Sequence, residues 1–204
     1  MALWLSWSII MALAWAASGY LGAFIGFEED VGAIGEFFNV DSNWEWGLTY
    51  GLIYGAFVGV SSWLFLRDRV RLPFIWIPLT IVGFTIGNGL GSYVVYDIWV
   101  DGPYGNPVFD SLYGFLNGLC IALVQSFVAR QSRLEPLLWF GLTVAGVTVG
   151  EYIAWYLILG QLPYEWFDAF AGPIEAAGGA IAGAIFGGTT GIALLTLTPE
   201  VDDI

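Results

Sequence analysis

Glu151 is the side chain with the most chemistry to offer. It stands in Val149-Gly150-Glu151-Tyr152-Ile153, inside an apolar stretch, and an ionisable group at membrane depth is costly enough to count as a site hypothesis by default. Asn88 occupies the position 63 residues earlier, also directly after a glycine. A carboxyl and an amide at matching places suit an outward-facing polar pocket that binds or passes a solute. They also suit simple bracing, with each group hydrogen-bonded to a carbonyl or hydroxyl of a neighbouring helix. Glu175, at the head of the last apolar segment, either joins this set or lies at the membrane interface. Asn117, Gln125, Thr80, Thr85, Thr143, Thr148, Thr189 and Thr190 are the other polar groups within apolar stretches. Most of them read as interhelical bonds worth well under about 2 kcal/mol each, with threonines also returning to their own helix.

Other chemistries are poorly provided for. The chain contains no histidine, which removes the usual metal ligand and the usual general base near neutral pH. There is no Ser/His/Asp set, metal-ligand cluster, phosphate loop or dinucleotide fingerprint. The single cysteine, Cys120, reads as a small buried apolar residue. The chain therefore reads as a non-enzyme with no metal and no cofactor. Eleven tryptophans invite a pigment or quinone protein, and the missing histidine argues against one. The net charge of −13 with five arginines and no lysine excludes a nucleic-acid partner, since little is present to neutralise phosphates.

The elements that must position these groups are membrane helices. The 204 residues are 58% hydrophobic and 11% charged, with a mean hydropathy of +0.75; soluble domains carry about 25% charged residues. Six apolar segments mark themselves at 3–26, 48–66, 73–95, 112–129, 137–159 and 175–197, each long enough to span a bilayer. The first lacks an Arg or Lys before its apolar run, so it reads as a retained helix rather than a cleaved leader.

The chain repeats itself. At an offset of 63, Gly51, Gly55, Arg67, Pro73, Trp76, Thr80, Gly83, Thr85 and Gly87 match Gly114, Gly118, Arg130, Pro136, Trp139, Thr143, Gly146, Thr148 and Gly150. Such a period sets the architecture before any local reading does. Two hairpins follow, 48–95 and 112–159. The ends of the chain echo them: Gly55 and Gly59 align with Gly183 and Gly187 at offset 128, and Trp76, Gly83, Gly87 and Gly91 with Trp7, Ala14, Ser18 and Gly22 at offset 69. This predicts a third hairpin split between 175–197 and 3–26. The whole of 1–204 is then one all-α transmembrane domain, a pseudo-three-fold bundle of hairpins in which the first helix pairs with the sixth. Small residues four apart in every segment, such as Gly179, Gly183, Gly187 and Gly191, form stripes for close helix contact, leaving bulky Leu, Ile, Phe and Trp mostly to face lipid.

Arg67, Arg69, Arg71, Arg130 and Arg133 all lie in the two short turns. The positive-inside rule places those turns and both termini in the cytoplasm, and the loops 27–47, 96–111 and 160–174 outside. The outer loops are acidic (Glu28, Glu29, Asp30, Glu36, Asp41 and Glu45; Asp97, Asp101 and Asp110; Glu165 and Asp168) and interleaved with Phe37, Phe38, Trp44, Trp46, Trp99, Tyr104, Trp166 and Phe167. They read as an aromatic belt under solvated carboxylates, or as a face that docks a membrane-protein partner.

The run Gly51-Leu-Ile-Tyr-Gly-Ala-Phe-Val-Gly-Val-Ser-Ser-Trp-Leu-Phe-Leu-Arg67, followed by Trp76 and Gly83, resembles uncharacterised multi-pass proteins of cyanobacteria and green filamentous bacteria. Those proteins repeat a Gly-rich helix ending in Gln-Trp-Leu-x-Leu-Arg. Ser62 replaces that Gln in the first copy, and the second reads Gln125-Ser126-Phe127-Val128-Ala129-Arg130. The resemblance implies an inner or thylakoid membrane and assigns no site. The expected role is a non-enzymatic accessory or scaffold subunit surrounded by lipid. The alternative is a small transport or ligand-binding component whose pocket lies around Glu151 and Asn88.

Overall fold

A computed structural model describes residues 2–26, 43–98 and 107–196. It is all-α, with six helices long and apolar enough to cross a membrane. They are α1 (Ala2–Gly26), α2 (Asn43–Val70), α3 (Trp76–Ser92), α4 (Pro107–Ala129), α5 (Pro136–Glu151) and α6 (Tyr164–Leu195). Two of them change winding toward their C-terminal ends. α3 continues as a π-helix over Tyr93–Ile98, and α5 as a π-helix over Tyr152–Ile158 and then a 3₁₀ turn, Leu159–Gln161.

The boundaries correct the sequence reading at the acidic end. Residues 160–174 were expected to be an outer loop, but α6 begins at Tyr164. Its first turns break from the rest at Phe170 (φ −137°, ψ 33°), three residues before Pro173, which has no N–H to continue the helical ladder. Residues 43–47 and 107–111 are likewise helical, in α2 and α4. Glu28, Glu29, Asp30, Glu36, Phe37, Phe38, Asp41, Trp99, Asp101 and Tyr104 lie outside the described residues, as do the side chains of Asp97, Phe167 and Asp168.

At the other end the turns are tight. α2 closes with Arg71 in the left-handed region (φ 54°) while the Leu72 N–H returns to the Arg67 carbonyl at 3.1 Å. This is the 6→1 bond of a Schellman stop. α5 starts with Glu135 as its cap, the carboxylate accepting the Leu138 N–H, and Pro136 in the first turn. The Arg133 N–H donates to the Val70 carbonyl at 3.1 Å. Both arginine turns therefore sit together at one end of the bundle.

Each helix packs mainly on two others, in the order α1–α2–α3–α4–α5–α6 and back to α1. Glycines permit the closest approaches. A Cβ added at Gly55 would lie 2.6 Å from the Ile81 Cα, one at Gly118 3.2 Å from the Val144 Cα, and one at Gly187 2.7 Å from the Ser8 Cα. Where backbone meets backbone like this, any side chain forces the helices apart.

A ring of helices leaves space along its axis, and tryptophan fills it. Trp7, Trp76 and Trp139, from α1, α3 and α5, are at most 1% exposed, with ring centroids 6.2 Å apart for Trp7–Trp139 and 5.7 Å for Trp76–Trp139. Trp15, on the next turns of α1, meets Phe84 at 5.6 Å and Phe186 at 5.6 Å. The expectation that tryptophan mostly faces lipid fails for these four. Leu5, Leu13, Leu64, Phe127 and Leu137 do lie on the outer surface. Cys120 is half-buried rather than buried.

Candidate functional site

The polar groups inside the bundle form three separate sets. The first braces the arginine end. Trp76 donates its indole N–H to Ser62 Oγ at 2.8 Å, Trp139 to Gln125 Oε1 at 3.1 Å, and Trp7 to Thr190 Oγ1 at 2.9 Å. Gln125 also donates to Thr80 Oγ1 at 3.2 Å, so α3, α4 and α5 are tied through one amide. A buried indole N–H gains from such a partner, and each of these three is met by the helix that its own helix packs against most closely, whereas the Trp15 indole N–H is buried without one. Gln125 thus belongs to the packing and has no exposure to a ligand path; it is 1% exposed.

Asn88 and Asn117 are brought together in the second set, about three turns further along α3. The Asn88 amide donates to Asn117 Oδ1 at 3.1 Å and to the Phe84 carbonyl at 2.9 Å. Tyr113, which the sequence reading did not single out, donates its hydroxyl to Asn88 Oδ1 at 2.5 Å. Asn88 is thereby saturated with partners, and the α3–α4 seam is closed over it by Gly87, where a Cβ would meet Asn117 Oδ1 at 2.6 Å.

The third set holds the carboxyls. Glu175 is 8% exposed, within α6, and accepts the Tyr50 hydroxyl at 2.5 Å. Tyr54 lies one turn along α2, its hydroxyl 3.5 Å from that of Tyr50, while Trp46 stacks on Tyr50 at 4.8 Å. Glu151 is 7% exposed and is roofed by Gly114, whose added Cβ would fall 2.9 Å from the Glu151 Cβ. Trp155 lies one turn further along the chain. Asp110 lies one turn before Gly114 on α4, with its Oδ2 buried and without a hydrogen-bond partner. Among the described residues no three His, Cys, Asp or Glu side chains come together as a metal site.

Among the described residues, Glu151 and Asn88 pack in different seams. Each is enclosed in its own seam, Glu151 between α4 and α5 and Asn88 between α3 and α4. Tyr50, Tyr54 and Tyr113 were hidden from the sequence reading because a tyrosine in an apolar helix looks like a belt residue. The signal that could have found them is spacing: Tyr50 and Tyr113 are related by the same offset of 63 as the glycines.

No family model, no curated protein and no solved structure matches this chain.

Proposed function

We propose that the chain is a non-enzymatic accessory or scaffold subunit of a larger membrane complex, built from three quasi-equivalent hairpins, the third split between the two ends of the chain. The observation that carries this reading is the filled axis. Fully buried tryptophans close the bundle at the arginine end, and Ser62, Thr80, Gln125 and Thr190 near them are engaged in bonds between helices. The same bonds support the pseudo-three-fold relation. Ser62 and Gln125 differ by the offset of 63, Ser62 and Thr190 by 128, and Trp7 and Trp76 by 69, the offsets at which the glycines repeat. The pairing of α1 with α6 is supported by Trp4, which donates to the Gly188 carbonyl at 2.8 Å.

With the arginine turns in the cytoplasm, both termini are cytoplasmic and the acidic, aromatic end faces outward, in an inner or thylakoid membrane. That end is the surface offered to a protein partner. Gentle detergent extraction from the native membrane, followed by identification of the proteins that co-purify, tests the proposal: a defined larger complex is expected, and a chain that always migrates alone contradicts it. Reporter fusions at both termini test the topology.

One observation favours a second reading, a ligand-binding component with an outward polar pocket. Asp110 Oδ2 is buried without a hydrogen-bond partner, one turn before the Gly114 that covers Glu151. Glu151→Gln separates the readings: a binding component loses uptake or binding of its solute, whereas a scaffold keeps its complex intact.

A further inference from the structure

The three seams between hairpins are not equally tight. At the α3–α4 seam Gly83 faces α4, where an added Cβ would meet a Val124 methyl at 2.6 Å and the Ile121 Cα at 3.0 Å. At the α5–α6 seam Gly146 faces Phe186, with the Cα at 3.1 Å, and Gly150 faces the Ala182 carbonyl at 2.9 Å. The corresponding positions on α1, at offset 69 from α3, are Ala14 and Ser18. Two side chains stand there in place of two glycines, and α1 packs on α2 less extensively than α3 does on α4 or α5 on α6.

The seam opens toward the arginine end as a groove of about 350 Å³ lined by Ile10, Ser61, Leu64, Phe65 and Arg69. Its walls are apolar except for one hydroxyl, and its mouth carries one cation. The Arg69 guanidinium lies over the Phe65 ring, 4.1 Å from the centroid, and donates to the Phe65 carbonyl. Neither contact carries a neutralising charge. Asp68, the adjacent carboxylate, is paired with Arg67 at 3.2 Å, so Arg69 is the charge presented to the groove.

We propose that the α1–α2 groove holds one anionic phospholipid, its acyl chain against Ile10, Leu64 and Phe65 and its phosphate at Arg69. Charge complementarity selects this occupant. A basic side chain where helices leave the bilayer attracts anionic headgroups, guanidinium matches phosphate oxygens in a two-point geometry, and the groove runs from that cation into the depth occupied by acyl chains. The Ser61 hydroxyl offers a further polar contact between the two. The proposal concerns the arginine end and does not depend on what the acidic end binds.

The test uses the full chain in mild detergent, titrated with phosphatidylglycerol and, separately, with phosphatidylcholine of the same acyl composition, and read by native mass spectrometry. A one-to-one phosphatidylglycerol adduct is expected, with phosphatidylcholine bound more weakly. Arg69→Gln is expected to weaken the adduct about fivefold, as loss of one basic group near a headgroup does. Ile10→Trp, which fills the groove, is expected to abolish it. Arg130→Gln, at the other turn, is expected to leave it unchanged. Glycerol phosphate without acyl chains is expected not to compete. Equal retention of the two lipids, or wild-type binding in Arg69→Gln, overturns the proposal. Arg69 is exposed, so that variant folds even if Ile10→Trp does not. Competition by glycerol phosphate also overturns it, showing an anion site in place of a lipid site.

Discussion

At the arginine end, α1, α3 and α5 bring Trp7, Trp76 and Trp139 to the axis, and each indole N–H is answered by Thr190, Ser62 or Gln125. Twelve residues further along the same helices, about 18 Å at the α-helical rise, the residues are Gly19, Asn88 and Glu151, and no common pattern joins them. Glycine lets the Tyr54 hydroxyl approach α1, asparagine enters an amide–phenol cluster, and glutamate sits under Gly114. One end repeats a single solution three times, while the other uses the same positions for three different purposes. Under the proposed scaffold role, the repeated end holds the bundle together and the divergent end meets the partner.

The sharpest way to break this contrast is to put a side chain into each half. Gly187→Leu sets a leucine against the Ser8 Cα and the Met11 Cβ, atoms that cannot rotate away. More than about 3 kcal/mol is expected to be lost, the upper range for overpacking. Gly178→Leu, at the acidic end, meets the Trp155 and Leu159 side chains, which can move, and is expected to cost about 1–2 kcal/mol. Reversible unfolding in mixed detergent and SDS micelles measures both, and equal losses would erase the distinction.

Truncation probes the same division. Trp139→Ala removes a fully buried indole that contacts Trp7 and Trp76 and is expected to cost about 3–5 kcal/mol. Asn88→Leu strands Asn117 Oδ1 and the Tyr113 hydroxyl and is expected to cost about 1–3 kcal/mol; fluorescence-detected thermal unfolding ranks the two. The smallest effect belongs to Glu175→Gln. The amide oxygen still accepts from Tyr50, so stability is expected to change by less than about 1 kcal/mol. A large loss there would mean that the acidic end also serves chiefly to hold the bundle.

Part of this was legible in the residues. Helix count came from six apolar runs, because lipid demands long uninterrupted hydrogen-bonded helices. The boundaries near 164 and 43 were not, since Pro163-Tyr164-Glu165-Trp166 and Asn43-Trp44-Glu45-Trp46 are polar enough to pass for loops although they continue the helices beyond the apolar zone. The inward tryptophans were misread for a related reason. Hydropathy says that a side chain avoids water but not whether it prefers lipid or its neighbours; for Trp7, Trp76 and Trp139 the facing helix supplies an acceptor, 14 residues back in the chain for Trp76 and Trp139. Glu151 and Asn88 are both buried, and their separation into two seams depends on Gly114 and Gly87, whose facing direction no one-dimensional pattern supplies.

The central claim is that the chain ends meet to complete the ring. Spin labels on Leu5 of α1 and Ile192 of α6, both on the outer surface, in a Cys120→Ser background, measure it directly by pulsed electron resonance in lipid nanodiscs. Neighbouring helices have axes about 8–10 Å apart, and the predicted label separation is about 20 Å or less. A separation of about 30 Å or more, as labels on opposite sides of a six-helix ring would give, contradicts the account.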